Sequence, residues 1–179
     1  MEHGESSYRR FLAGDESAFD QILLDHRVGL IRFINQILHD PDAAEDIAID
    51  TFLELLLHPK RYDFRSSLKT YLYMMGRSKA LNYLRRRKFF SPDPIPENIP
   101  QEISLEEQFL LDERRRELHA ALKKLPEDTA TALYLVYFEE LSYTDTAKVM
   151  KKTTKQVDNL LYRGKAALRN LLGKDGSVL

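Results

Sequence analysis

The chain has 179 residues, enough for one medium domain or two small ones. With 31% charged and 43% hydrophobic residues it can bury packed cores, and only 7 Gly and 7 Pro exclude collagen-like or low-complexity architecture. The absence of cysteine excludes disulfides, thiolate metal sites and cysteine nucleophiles. No apolar run approaches the roughly 18 residues of a membrane span, and the start MEHGESSYRR lacks a signal-peptide pattern, so a soluble, cytoplasmic protein without membrane insertion is expected.

The elements all read as helices, with apolar spacing near 3.6 and no sustained alternation. The first covers roughly Ser6–Ala13 and the second Ser17–Leu38, whose apolar set is Phe19, Ile22, Leu23, Leu30, Phe33, Ile34 and Ile37. The third starts at Asp40-Pro41, a cap followed by a proline suited to the first helical turn, and stops at His58-Pro59. The fourth spans about Ser67–Lys88. Ser91–Gln101 then carries four of the seven prolines and should be extended, because proline lacks a donor and restricts its predecessor. Beyond it, helices are expected near Leu105–Lys123, Glu127–Phe138, Tyr143–Met150 and Thr154–Leu172, with capping-box spacing at Ser142–Asp145 and Thr153–Gln156. The fold class is therefore all-α: two small helical domains, residues 1–90 and 105–179, joined by a proline-rich linker at 91–104.

The net charge of −1 hides segregation. Residues 1–59 carry 4 basic and 12 acidic side chains, 60–90 carry 10 and 1, 91–120 carry 3 and 8, and 121–179 carry 10 and 7. Blocks of this size suggest surfaces for different partners. In the third helix Asp42, Asp46, Asp50 and Glu54 recur every four residues, which costs the helix a few tenths of a kcal/mol per like-charged pair. Ile47, Ala48, Phe52 and Leu55 can fill a core, leaving Ile49, Leu53 or Leu56 partly exposed beside the carboxylates. That mixture suits docking to a protein and has the wrong sign for DNA.

Lys60–Phe90 sets ten basic residues among Tyr62, Phe64, Tyr71, Tyr73, Tyr83, Phe89 and Phe90. Cations hold a nucleic-acid backbone and aromatics stack on unpaired bases, so melted DNA is a candidate ligand. Several apolar residues here (Leu68, Tyr71, Leu72, Met75, Leu81, Leu84) also suit a core. Near the C-terminus, Tyr143–Met150, a Lys151-Lys152 turn and Thr154–Leu172 form a helix–turn–helix pattern. Val157, Leu160, Leu161, Gly164, Leu168, Leu171 and Leu172 share one apolar face. Lys155, Asp158, Asn159, Tyr162, Arg163 and Arg169 lie on or beside the other, where Asn can read adenine and Lys or Arg can reach guanine or phosphate. Lys151 stands where glycine suits a left-handed turn.

These segments, in this order, resemble bacterial RNA polymerase sigma factors of the extracytoplasmic-function class. Asp42-Ala43-Ala44-Glu45-Asp46 followed by Phe52 is similar to that family's core-polymerase-binding helix. Phe64–Arg87 is similar to its −10 segment, and Val157–Arg163 to its −35 recognition helix. The chain departs from the family's pattern at Ile49, Tyr71, Ser78, Asn82 and Lys151. The resemblance implies a specificity subunit with no bond chemistry and no cofactor. Its partners would be core RNA polymerase, promoter DNA and an anti-sigma factor covering the apolar docking surface. Asp42, Asp46, Ile49, Asp50 and Leu53 would meet the polymerase. Lys79, Asn82, Tyr83, Arg86 and Arg87 would meet the −10 region, and Lys155, Asn159, Tyr162 and Arg163 the −35 element.

The alternative reading is a stand-alone helix–turn–helix transcriptional regulator, which leaves the acidic and basic–aromatic helices without a role. Catalysis has little support: His3, His26, His39, His58 and His119 are scattered outside any HExxH pattern, and no Gly-rich phosphate loop occurs.

Overall fold

In the computed structural model, residues 3–90 and 113–172 are described. The chain divides into two compact units, Met1–Ile95 and Pro96–Leu179. The described residues of the first hold α1 (His3–Leu12), α2 (Ser17–Leu38), α3 (Pro41–Leu57), a 3-10 turn (Pro59–Arg61) and α4 (Leu68–Phe90). Those of the second hold α5 (Glu113–Leu122), α6 (Glu127–Tyr137), α7 (Tyr143–Met150) and α8 (Thr154–Leu172). The expected linker at 91–104, and the start of the helix expected from Leu105, lie outside the described residues.

In the first unit α2 is the central helix, packed against α1, α3 and α4. Phe33, Ile22, Leu30 and Ile34 are fully buried on it, facing Ala44, Ala48, Phe52 and Leu55 of α3 and Leu68, Leu72, Tyr73 and Ala80 of α4. Gly76 lets α4 lie close to α2: a Cβ there would stand 2.9 Å from Leu30 Cδ1. The helix ends follow local chemistry in part. Asp40 accepts from the Ala43 amide at 3.1 Å with Pro41 opening the helix, and Ser67 accepts from the Thr70 amide at 3.0 Å.

Other ends are closed from a distance. Glu5 of α1 accepts the Leu68 amide at 2.8 Å, and the buried Tyr8 hydroxyl donates towards the carbonyls of Leu55 and Pro59 at 3.2 and 3.1 Å. Burial pushes the Tyr8 hydroxyl up to about 12, with the nearby Tyr71 adding to the shift, so it stays a donor. α1 thus fastens the end of α3 to the start of α4.

The second unit packs α8 against α5, α6 and α7. Val157, Leu161 and Leu168 are buried, and a Cβ on Gly164 would lie 2.7 Å from Leu133 Cδ1 and 2.8 Å from Thr129 Cγ2. The absent side chain is what admits α6 to this distance. The apolar face ends earlier than the spacing predicts, since Leu171 is 45% exposed. The Thr153–Gln156 capping box closes in both directions, whereas at Ser142 the side-chain cap forms and Asp145 accepts from the Ser142 hydroxyl. Ser142 Oγ accepts from the Asp145 amide at 3.0 Å, while Thr153 and Gln156 exchange bonds at 2.8 and 3.2 Å. Lys151 adopts the left-handed conformation, φ 53 and ψ 45, that the turn requires. Its neighbour's amide closes the helix on Ala147 O at 3.0 Å. Lys152 then ties the turn to α6 through Asp128 at 2.9 Å.

Candidate functional site

On α3, helical phase separates two sets of acids. Asp42, Asp46 and Asp50 are exposed, have no ion-pair partner among the described residues, and run beside Ile49 and Leu53, 45% and 46% exposed, with Leu56 and Leu57 continuing the stripe. Glu45 instead pairs with Arg27 of α2, and Glu54 with Lys79 and Arg61. The fourfold repeat reads as one stripe in sequence, but each step of four overshoots a turn by about 40°, so Glu54 has rotated away from Asp42 towards α4. All five residues expected to meet a polymerase are brought together on one solvent face. Two exposed aliphatics of α2, Leu24 and Val28, follow on either side of the residue that bridges to Glu45. Their apolar spacing was visible in the sequence, but their exposure depends on which face of α2 the other helices cover.

The basic–aromatic segment divides differently from its sequence expectation. Tyr62 and Tyr73 are buried, Tyr73 stacking on Phe33 at 4.9 Å. Tyr62 packs against Tyr8, Phe64 and Tyr71 with ring centroids 5.4, 4.6 and 5.0 Å apart. Phe64 is held at φ 61 beneath the Arg9 guanidinium, 4.3 Å from the ring. These rings form a core joining α1, the loop and α4, and their surface is spent on one another. Burial raises both Tyr62 and Tyr71 above the ordinary phenol value, which keeps them neutral. Tyr83, half-buried, and Phe89, 81% exposed, are the described aromatics of the segment left to face outward on the later turns of α4.

Of the five residues expected on the −10 face, Asn82 and Arg86 are exposed and share a side of α4 with Tyr83. Lys79 and Arg87 are not open: Lys79 Nζ lies 2.9 Å from Glu54 Oε2, and Arg87 Nη1 3.5 Å from Asp40 Oδ2. Asp40 therefore serves both as helix cap and as counter-charge. Neither pairing is legible in the sequence, because each joins residues more than twenty positions apart.

On α8, Lys155, Asn159, Tyr162 and Arg163 are all exposed, Tyr162 at 78%, and none has a partner among the described residues. They occupy one face opposite Val157, Leu161 and Leu168. Such a face, projecting from a capped helix–turn–helix, can enter a major groove.

Of the two helical units, one carries an exposed acidic–aliphatic stripe beside a basic helix and the other a helix–turn–helix with an open outer face. The sigma-70 region 2 family model matches residues 23–90, and the sigma-70 region 4 family model matches residues 115–168. The RNA polymerase sigma-H factor of Pseudomonas aeruginosa is 29% identical over 186 aligned residues, covering 96% of this chain and 95% of that protein. The ECF RNA polymerase sigma factor SigM of Bacillus subtilis is 25% identical over 158 residues, covering 87% and 95%. Among solved structures, the sigma factor RpoE in complex with the anti-sigma factor NepR from Bartonella quintana matches with a TM-score of 0.67 at 22% identity, covering 86% of this chain and 96% of that one, a likeness of fold.

The chain belongs to the sigma-70 family and is an RNA polymerase sigma factor of the extracytoplasmic-function (ECF) type, with region 2 and region 4 domains. It directs promoter recognition by RNA polymerase and is not an enzyme. None of its described helices is long and apolar enough to cross a membrane.

Proposed function

We propose that this sigma factor docks on core RNA polymerase through Asp42, Asp46, Ile49, Asp50 and Leu53 of α3. The first domain, residues 1–90, then meets the −10 region through Lys79, Asn82, Tyr83, Arg86 and Arg87. The second, residues 105–179, reads the −35 element through Lys155, Asn159, Tyr162 and Arg163, with 91–104 as the tether between them. The observation that carries this reading is the α3 stripe: three exposed carboxylates without partners run beside exposed aliphatics, on a helix whose other acids are paired. A charged–apolar surface of that kind favours a basic protein partner and disfavours DNA.

Each domain alone has few base contacts, and tethering both to polymerase lets weak contacts add through effective concentration. An anti-sigma factor covering the α3 stripe would compete with polymerase for it. This activity belongs in the cytoplasm, where the polymerase is.

Run-off transcription with core bacterial polymerase on fragmented host DNA tests the reading. Discrete new transcripts should appear with the protein and vanish with Asp46→Arg or Asp50→Arg, while Asn82→Ala should change their yield without abolishing polymerase binding. A specific duplex shift without polymerase, and no transcripts with it, would instead support a stand-alone regulator.

A further inference from the structure

Glu54 belongs neither to the docking stripe nor to the α4 face, yet it touches both the basic helix and the turn before it. Its Oε2 lies 2.9 Å from Lys79 Nζ, and its Oε1 accepts from Arg61 Nη1 at 2.7 Å. The Glu54 and Lys79 side chains are 29% and 30% exposed, whereas Arg61 is 58% exposed. The Lys79 hydrogen bond, with Arg61 behind it, holds the Glu54 carboxyl below its ordinary value, so the carboxylate is charged at neutral pH.

A half-buried pair is screened less by salt than an open one, so Lys79 cannot turn to a phosphate without competing against Glu54. Because the carboxylate has a second cation, the departure of Lys79 leaves no unpaired charge: Arg61 stays. Farther along α4, Arg85, Arg86 and Lys88 are exposed and have no carboxylate partner among the described residues. The helix thus has an open basic end and a withheld lysine.

The geometry points to Glu54 as a positioning residue that keeps Lys79 in reserve. In the free protein the lysine sits on α3. On engagement with the promoter it exchanges Glu54 for a DNA phosphate, while Arg61 keeps the carboxylate neutralised. The protein then presents less basic charge to passing nucleic acid than its sequence suggests, and the full set is assembled only where other contacts hold DNA along α4. The inference rests on the reading that this face of α4 meets the −10 DNA.

The test measures binding of the full-length protein to a fluorescent 20-nucleotide single strand of mixed sequence over a series of salt concentrations, with thermal melts alongside. Glu54→Gln should bind about three- to tenfold more tightly, and its slope of log affinity against log salt should steepen by about 0.7, the increment for one more phosphate contact on a single strand. Adding Lys79→Gln should remove both gains, returning the double variant to the affinity and salt slope of Lys79→Gln alone. Glu54→Ala should repeat the result, so a poorly folding Gln variant does not decide it. A purely structural Glu54 would lower the melting temperature and weaken binding with an unchanged slope. If Arg86→Gln weakens binding but neither Glu54 variant tightens it, the reserve is overturned and the DNA face stands. If Arg86→Gln and Lys79→Gln are both silent in every background, the DNA-face reading fails and takes the inference with it.

Discussion

The basic helix of the first unit and the recognition helix of the second carry similar residue types on one face and treat them oppositely. On α4, Lys79 and Arg87 are drawn back onto Glu54 of α3 and its cap Asp40, and Tyr62 and Tyr73 of the segment are buried, with Phe64 and Tyr71 packed against Tyr62. On α8, Lys155, Asn159, Tyr162 and Arg163 stand open with no partner among the described residues. The difference follows from neighbours: α4 packs alongside a helix rich in carboxylates, whereas α8 is gripped from its apolar side by α5, α6 and α7. A face that reads intact duplex benefits from being open. A face placed against an acidic helix has its charge moderated from within.

The sharpest break in this comparison is at α8. Replacing Asn159 and Arg163 together by Ala should cost about 2–6 kcal/mol of −35 discrimination, two base contacts at about 1–3 each, measured as transcription from promoters differing only in that element. Stability should be untouched, because both side chains are exposed. An equal loss on every promoter would mark them as phosphate contacts instead.

Next in size is the seat of that helix. Gly164→Ala should destabilise the protein by about 1–3 kcal/mol in denaturant titrations through overpacking against Leu133 and Thr129, although alanine is intrinsically the better helix former by about 1 kcal/mol. A gain in stability would show that those side chains yield freely.

Smaller still is the turn. Lys151→Gly should stabilise by about 1 kcal/mol, because glycine relieves the left-handed strain at φ 53. No change would mean that the lengthened unfolded-state freedom of glycine offsets the relief.

The smallest effect sharpens the α3–α4 side. The Glu54 carboxyl is lowered in the folded state from an ordinary 4.5, chiefly by Lys79. Its contribution is thus present above pH 4.5 and lost as the pH falls through the folded value. Acid titration of stability should show a loss below pH 4.5 in the wild type that is reduced in Glu54→Gln.

Several features were legible because they depend on neighbours in sequence. The bounds of α2, α3, α7 and α8 follow from apolar phase, Asp40-Pro41, the Ser142 cap and the Thr153 box, all of which act within one turn. The exposed face of α8 and the α3 stripe follow from the same phase, since the complement of a clean apolar stripe is necessarily the outside. The aromatics of Lys60–Phe90 were read less well. Tyrosine and phenylalanine serve stacking on a base and packing in a core equally, and only the approach of Tyr8 from α1 and Phe33 from α2 assigns them to the core.

Sequence alone determined what acts over a few residues: helix, cap, turn and amphipathic side, because 3.6-residue geometry and local hydrogen bonds set them. Tertiary structure decided what needs two distant segments to meet. Glu5 capping α4, Tyr8 bonding the end of α3, Gly76 and Gly164 as points of close approach, and Glu54 and Asp40 claiming two cations of α4 all arise from packing. Their charges and shapes are printed in the sequence, but Coulomb attraction and steric fit act over a few ångströms, and those distances exist only once the helices are assembled.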